Sequence, residues 1–305
     1  MSKIAAWISA ARLRTLPLSL SGILVGSALA FPEGEFDSSI FWLAIATTLG
    51  LQILSNFAND YGDGVKGTDN EERIGPMRAL QSGIITDQEM KRAILLTSTL
   101  TALLALSLIY LSFKGDNFIW SLVFIALGAF AIIAAIKYTV GKSAYGYRGL
   151  GDVFVFIFFG LVSVLGVNFL MTKQLDIRLL LPATSIGLLS SAVLNLNNMR
   201  DENGDRNADK KTLVVIFGKQ FAKRYHFSLI IMAFLSLFLF IAIYFGLQNF
   251  IFYLPFIAFL PLGSHLKKVL SYKNPKTLDP ELKKVALSTF ALSIMLFLSV
   301  LFTNL

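Results

Sequence analysis

Nine long apolar runs leave this chain few ways to fold. They are Thr15–Ala30, Phe41–Ala58, Ala93–Phe113, Phe118–Ile136, Val153–Met171, Leu179–Leu196, Phe227–Leu247, Phe250–Leu266 and Val285–Phe302. Each is near the ~20 residues that carry an α-helix across a bilayer. None alternates apolar with polar residues and all are too long for strands, so membrane helices are expected throughout. Only 15% of the residues are charged against 55% hydrophobic, well below the roughly one quarter charged of a soluble domain. The first run follows Arg12 and Arg14 and is too long for the apolar part of a signal peptide, so it reads as a retained membrane helix. Pro17 stands near its start, where a helix tolerates proline. Pro255 and Pro261 are expected to kink the eighth span, and Gly22-xxx-Gly26 reads as a packing face.

A net charge of +8 could point to nucleic acid, but the placement of the charges argues for none. With the N-terminus inside, Lys114, Lys173 and Arg178 are the only outer Lys or Arg among 27. The inner segments carry the remainder, from Lys3, Arg12 and Arg14 to the Lys267–Lys284 group. This is the asymmetry of a multi-pass protein with basic cytoplasmic loops. There is no cysteine, which excludes disulfides, thiolate metal sites and a catalytic thiol.

Two acidic motifs close apolar runs on that inner side. The first is Asn56-Phe-Ala-Asn59-Asp60-Tyr-Gly-Asp63, after the second run; if its helix continues, Asn56, Asp60 and Asp63 share a face. The second is Asn198-Met-Arg-Asp201-Glu-Asn-Gly-Asp205, after the sixth run, where Asn198, Asp201 and Asp205 are also expected on one face. Their positions suggest two four-helix halves plus a ninth helix, all in one membrane-embedded domain over residues 1–305. Carboxylates and amides at a membrane boundary suit a hard divalent cation, which takes oxygen ligands. The same side offers Arg73, Arg78, Lys142, Arg148 and Lys210. A diphosphate bound through Mg²⁺ reconciles the two charge sets: the metal links carboxylate to phosphate, and Lys or Arg neutralise the remaining oxygens. A cavity between membrane helices favours a lipid tail on the same substrate, and a polyprenyl diphosphate has both features.

Competing motifs fail on detail. Asp201-x-Asn203-x-Asp205 begins like a calcium loop but has Arg206 and Thr212 at the Gly and Glu positions. Gly62 to Thr68 has P-loop glycine spacing without its Lys. His226 and His265 lie far apart at helix ends, which argues against a zinc cluster or a His-based triad. Gln52 within a span reads as interhelical hydrogen-bond glue, and Tyr138 and Lys142 read equally as interfacial anchors or site residues. A divalent-cation transporter would hold its acids near mid-membrane on broken helices; here they stand at helix ends.

Asn59-Asp60-x-x-Asp63, Asp201-x-x-x-Asp205 and Tyr138-x-x-x-Lys142 resemble the signatures of the UbiA-type intramembrane aromatic prenyltransferases. Tyr145-Gly-Tyr-Arg-Gly-Leu-Gly-Asp152, Asn197-Asn-Met-Arg-Asp201 and the stretch from Leu51 to Asp63 are most similar to the branch that prenylates 1,4-dihydroxy-2-naphthoate for menaquinone. The resemblance covers nearly the whole chain. It implies nine helices around a central cavity, with Asp60, Asp63, Asp201 and Asp205 at its cytoplasmic mouth as Mg²⁺ ligands. It further implies catalysis by these residues and Lys142. Asn56, Asn59, Arg73, Arg78, Tyr138, Arg148, Asn198 and Lys210 would bind the polyprenyl diphosphate and the aromatic acid, in the inner or plasma membrane of the cell. Related acceptors are 4-hydroxybenzoate, homogentisate and haem. One departure stands out: many relatives carry a third Asp where this chain has Gly67, and Asp69 lies two residues further on.

Overall fold

The structure, a computed structural model, describes residues 2–68, 74 and 77–304. Asp69 and Arg73 lie outside the described residues. Among those described there are nine helical spans long and apolar enough to cross a membrane, and no strand. They are Lys3–Ala28, Ser38–Val65, Asp87–Phe113, Phe118–Lys137, Gly151–Thr172, Ile177–Arg200, Leu213–Tyr244, Phe250–Ser271 and Pro275–Thr303. In hydrocarbon every backbone N–H and C=O needs a partner within the protein, and a helix supplies both from its own residues.

The helices overrun the apolar runs where polar sequence can still close helical bonds. The second span continues past Ala58 through both acids of the first motif to Val65. The third begins at Asp87, where the Thr86 hydroxyl accepts the Glu89 N–H and the Glu89 carboxylate accepts the Thr86 N–H, two end groups satisfied reciprocally. Three spans are irregular. The first breaks at Arg12, whose φ of 49° is left-handed, and resumes at Leu16 with Pro17 in its opening turn. The fifth contains a π-helical stretch, Phe156–Val162. The eighth is a 3-10 segment, Phe250–Phe259, followed by an α-helix from Leu260. Pro261 opens that helix, where a missing N–H costs nothing, so it begins a segment where the sequence suggested a kink.

Packing divides the chain into two compact units, one of Met1–Leu16, Leu43–Gly151 and Asp201–Ile216, the other of Pro17–Trp42, Asp152–Arg200 and Phe217–Leu305. These are not the sequential four-helix halves expected from motif placement. The first unit gathers Ala6, Ala10, Phe57, Ala79, Ile85 and Met90 into a buried cluster beneath Trp7 and Tyr61. Its fourth span, Phe118–Lys137, buries only Ala131 and Ala134; the rest of that apolar surface suits lipid.

In the second unit the sixth span packs on the π-helical stretch and on the ninth span. Gly22 and Gly26 act as the packing face their spacing suggested. A Cβ on either would come within 2.7 Å of Phe159 O or 2.3 Å of Val164 O, so only glycine admits the fifth span this closely. The histidines, far apart in sequence, meet in the structure. His226 and His265 are hydrogen-bonded through Nε2 at 2.7 Å, and His265 Nδ1 meets Glu281 Oε2 at 2.8 Å. Lys268 and Lys284 also pair with Glu281. Sequence distance hid a polar link joining the seventh, eighth and ninth spans.

Candidate functional site

The first unit holds the first acidic motif and both carboxylates of the second, Asp201 and Asp205. Because the second span stays helical to Val65, Asp60 and Asp63 lie one turn apart with relative exposures of 0% and 6%. The second motif does not continue its helix. The sixth span ends at Arg200, Asp201 leaves it at φ −97° and ψ 11°, and a short helix runs Glu202–Asn207. Asn198, Asp201 and Asp205 therefore do not share the face of one helix, which corrects the spacing argument. Asn198 is buried in the second unit, at the end of the sixth span. The turn nonetheless buries Asp205, whose N–H bonds back to Asp201 O at 2.9 Å.

Lys210 stands between the motifs. Its Nζ lies 3.8 Å from Asp63 Oδ2 and 3.6 Å from Asp205 Oδ1. Burial opposes its charge, yet the two carboxylates outweigh that and hold the ammonium above its ordinary range. Burial also pushes the Asp205 carboxyl up, to about 6, against the attraction of Lys210. Among the described residues Asp205 Oδ2 is buried without a hydrogen-bond partner. Asp60 is satisfied otherwise: Oδ2 accepts the Ala79 N–H at 3.1 Å and Oδ1 the Leu80 N–H at 3.3 Å. These bonds carry the returning loop onto the second span.

Tyr147, which belongs to neither acidic motif, completes the cluster. Its hydroxyl donates to Asp63 Oδ1 at 2.8 Å and lies 2.6 Å from Thr68 Oγ1. Burial and the Asp63 charge push the phenol above its usual range, so it is present as a donor. Lys66 Nζ sits 3.8 Å from the ring centroid. Tyr147 occupies a 3-10 turn, Tyr145–Arg148, tied by the Gly146 N–H to Tyr138 O at 2.9 Å. A Cβ on Gly146 would meet that oxygen at 2.6 Å, so the approach needs glycine. The Tyr-Gly-Tyr-Arg string marks a polar turn but does not say which ring faces the acids.

The remaining expected residues fall in several places. Asn56 donates to Ala11 O at 2.8 Å and Thr15 Oγ1 at 3.3 Å, and accepts from Gln52 at 3.2 Å. It holds the second span against the break in the first. Asn59 accepts from the buried Thr139 hydroxyl at 3.2 Å. Lys142 is exposed and makes no ion pair among the described residues; it lines a shallow groove of about 350 Å³ with Tyr61, Gly62, Val65, Lys66, Val140 and Gly141. Tyr138 and Arg78 are half-buried and Arg148 is exposed.

Oxygen donors suit a hard cation. Among the described residues no three acidic or histidine side chains already converge as metal ligands. Even so, Asp63 and Asp205 both address the single positive charge of Lys210, and the orphaned Asp205 Oδ2 faces no partner. A buried carboxylate in that state calls for a cation, so the donor set fits a divalent metal.

The sequence pattern of the UbiA prenyltransferase family matches residues 19–286. The chain is 49% identical over 241 residues to a 1,4-dihydroxy-2-naphthoate octaprenyltransferase of Escherichia coli, covering 79% of this chain and 77% of that one. It is 41% identical over 303 residues to the Haemophilus influenzae protein of the same name, covering 98% and 96%. The apo structure of a UbiA homolog from Aeropyrum pernix shares the fold, with a TM-score of 0.71 at 14% identity, over 96% of this chain and 99% of that one.

Proposed function

The chain belongs to the UbiA prenyltransferase family, and from that premise we propose that it transfers a polyprenyl group from polyprenyl diphosphate to 1,4-dihydroxy-2-naphthoate. Carbon dioxide is lost and a demethylmenaquinol is formed. The observation that carries this reading is the 41% identity to a 1,4-dihydroxy-2-naphthoate octaprenyltransferase along 98% of the chain. The gathering of Asp63, Asp205 and Lys210 at one place supports it chemically.

In the reaction the allylic C–O bond breaks and its electron pair leaves with the diphosphate. The ring carbon bearing the carboxylate attacks the allylic cation. Loss of that carboxylate as carbon dioxide returns its bonding pair to the ring, so no separate base is needed to restore aromaticity. Asp60, Asp63, Asp201 and Asp205 would hold Mg²⁺, with Asp60 also keeping the returning loop in place. The metal, when bound, supplies positive charge against the departing diphosphate. Lys210, Lys142, Arg78 and Arg148 neutralise diphosphate oxygens, most strongly as negative charge grows; Arg73 shares that role. Asn56, Asn59, Tyr138 and Asn198 shape the approach of the substrates. The protein works as one domain of the inner or plasma membrane, with the site on the cytoplasmic side, where its basic residues concentrate.

The test is direct. Purified protein in detergent is given Mg²⁺, polyprenyl diphosphates of several lengths and one aromatic acceptor at a time, and products are identified by mass. A decarboxylated prenyl naphthoquinol is expected. Product from 4-hydroxybenzoate or homogentisate, and none from the naphthoate, would reassign the acceptor.

A further inference from the structure

One acid of the first motif is held by a group outside both motifs. An ionised carboxylate only accepts hydrogen bonds, so the 2.8 Å contact between Tyr147 Oη and Asp63 Oδ1 is donated by the tyrosine. Tyrosine has one hydroxyl hydrogen, and Asp63 takes it. The 2.6 Å contact between Thr68 Oγ1 and Tyr147 Oη is therefore donated by the threonine. The result is a one-way relay from Thr68 through Tyr147 to Asp63.

The tyrosine is itself anchored on both sides. Its carbonyl accepts the Lys211 N–H at 3.2 Å, next to the lysine whose ammonium faces Asp63 Oδ2 at 3.8 Å. Lys66 covers its ring. One oxygen of Asp63 is thus tied, and the other is turned toward the ammonium that Asp205 Oδ1 also approaches, at 3.6 Å.

We infer that Tyr147 is a positioning residue for Asp63, orienting that carboxylate toward the cation shared by the two acidic motifs, with Thr68 fixing the tyrosine in turn. The inference rests on the metal-diphosphate reading of the site. Hydrogen bonds to metal-binding carboxylates are worth about 10–100-fold in metal affinity or activity. A tyrosine that only packed here would contribute to stability and leave metal affinity untouched.

Mn²⁺ is the probe, titrated against the full-length protein in detergent without substrate and followed by the electron paramagnetic resonance of the free ion. Tyr147→Phe keeps the ring and removes the donor; it should weaken Mn²⁺ binding about 10-fold. Thr68→Val, which leaves the tyrosine and the carboxylate intact, should weaken it less. It also serves as the second arm if the Phe variant does not fold. Tyr147→Phe combined with Asp63→Ala should be no weaker than Asp63→Ala alone, since the tyrosine acts through that carboxylate. In turnover, the Mg²⁺ requirement of Tyr147→Phe should rise by the same factor, with a smaller change in rate at saturating Mg²⁺. Unchanged or tighter Mn²⁺ binding in Tyr147→Phe, beside a clear loss in Asp63→Ala, overturns the inference and returns the tyrosine to packing. Mn²⁺ binding that ignores Asp63→Ala overturns it together with the metal reading, and the product assay then decides separately whether prenyl transfer stands.

Discussion

At the scale of single residues, the site turns on how much each carboxylate is already committed. Asp63 and Asp205 face one ammonium, and Asp205 retains a buried oxygen with no hydrogen-bond partner among the described residues. Asp60 spends both oxygens on the Ala79 and Leu80 amides. Replacing Asp63 or Asp205 by Ala should lower turnover at least ~100-fold, roughly 2.7 kcal/mol of transition-state stabilisation, with protein levels maintained. Asp60→Ala should lose stability as well, because two backbone N–H groups lose their acceptor. Turnover in membranes and thermal unfolding in detergent separate these effects, and near-normal turnover in Asp63→Ala would remove it from the metal set. Lys142, exposed in its groove, is the sharper question. If it meets the diphosphate, Lys142→Ala should depress turnover more than prenyl-substrate binding, because charge on the leaving group grows toward the transition state. Unchanged turnover would make it an interfacial anchor. The carboxylates were legible because they punctuate apolar runs. Tyr147 was not, because nothing in a Tyr-Gly-Tyr-Arg string says which ring turns inward.

At the scale of elements, apolar length revealed every span but not where a span is interrupted. A run such as Leu179–Leu196 demands a helix, since hydrocarbon offers its backbone no other partner. Whether that helix continues past Arg200 is decided by tertiary pairing that leaves no periodic trace. Arg200 is 2% exposed, donates to Asn197 Oδ1 at 2.9 Å and pairs at 2.6 Å with Asp279, which opens the α-helix Asp279–Thr303 of the ninth span. Its partner lies 79 residues away, beyond the reach of any spacing argument. The same holds for His226, His265 and Glu281. The pair gives an unequal expectation. Asp279→Ala takes one carboxylate from a buried cation and should cost about 1–3 kcal/mol. Arg200→Met removes the buried charge itself and leaves Asp279 as a carboxylate that is 40% exposed and readily hydrated. It should therefore cost less. Thermal unfolding of the two variants in one detergent gives the order, and a larger loss in Arg200→Met would mean that the arginine's other contacts matter more than its charge.

At the scale of the whole molecule, span parity and site chemistry constrain each other. Four spans, Asp87–Phe113 through Ile177–Arg200, separate the first acidic motif from the second. An even number returns the chain to the side it left, so both motifs emerge on one face of the membrane. Lys210, within reach of Asp63 and Asp205 together, supports that count from geometry alone. The basic residues supply the direction, since only Lys114, Lys173 and Arg178 of the 27 Lys and Arg fall on the other face. Nine spans would then put the N-terminus in the cytoplasm and the C-terminus opposite. Reporter fusions after Asp37, between the first and second spans, and after Gln248, between the seventh and eighth, should both read outside. The two positions test different things. A cytoplasmic signal after Asp37 would invert the direction read from the charges. A cytoplasmic signal after Gln248 alone would mean that an odd number of spans lies between the positions where six are counted. If the miscount fell among the third to sixth spans, Asp63 and Asp205 would stand on opposite faces and could not share one cation. That fusion therefore tests the joint site as well as the topology.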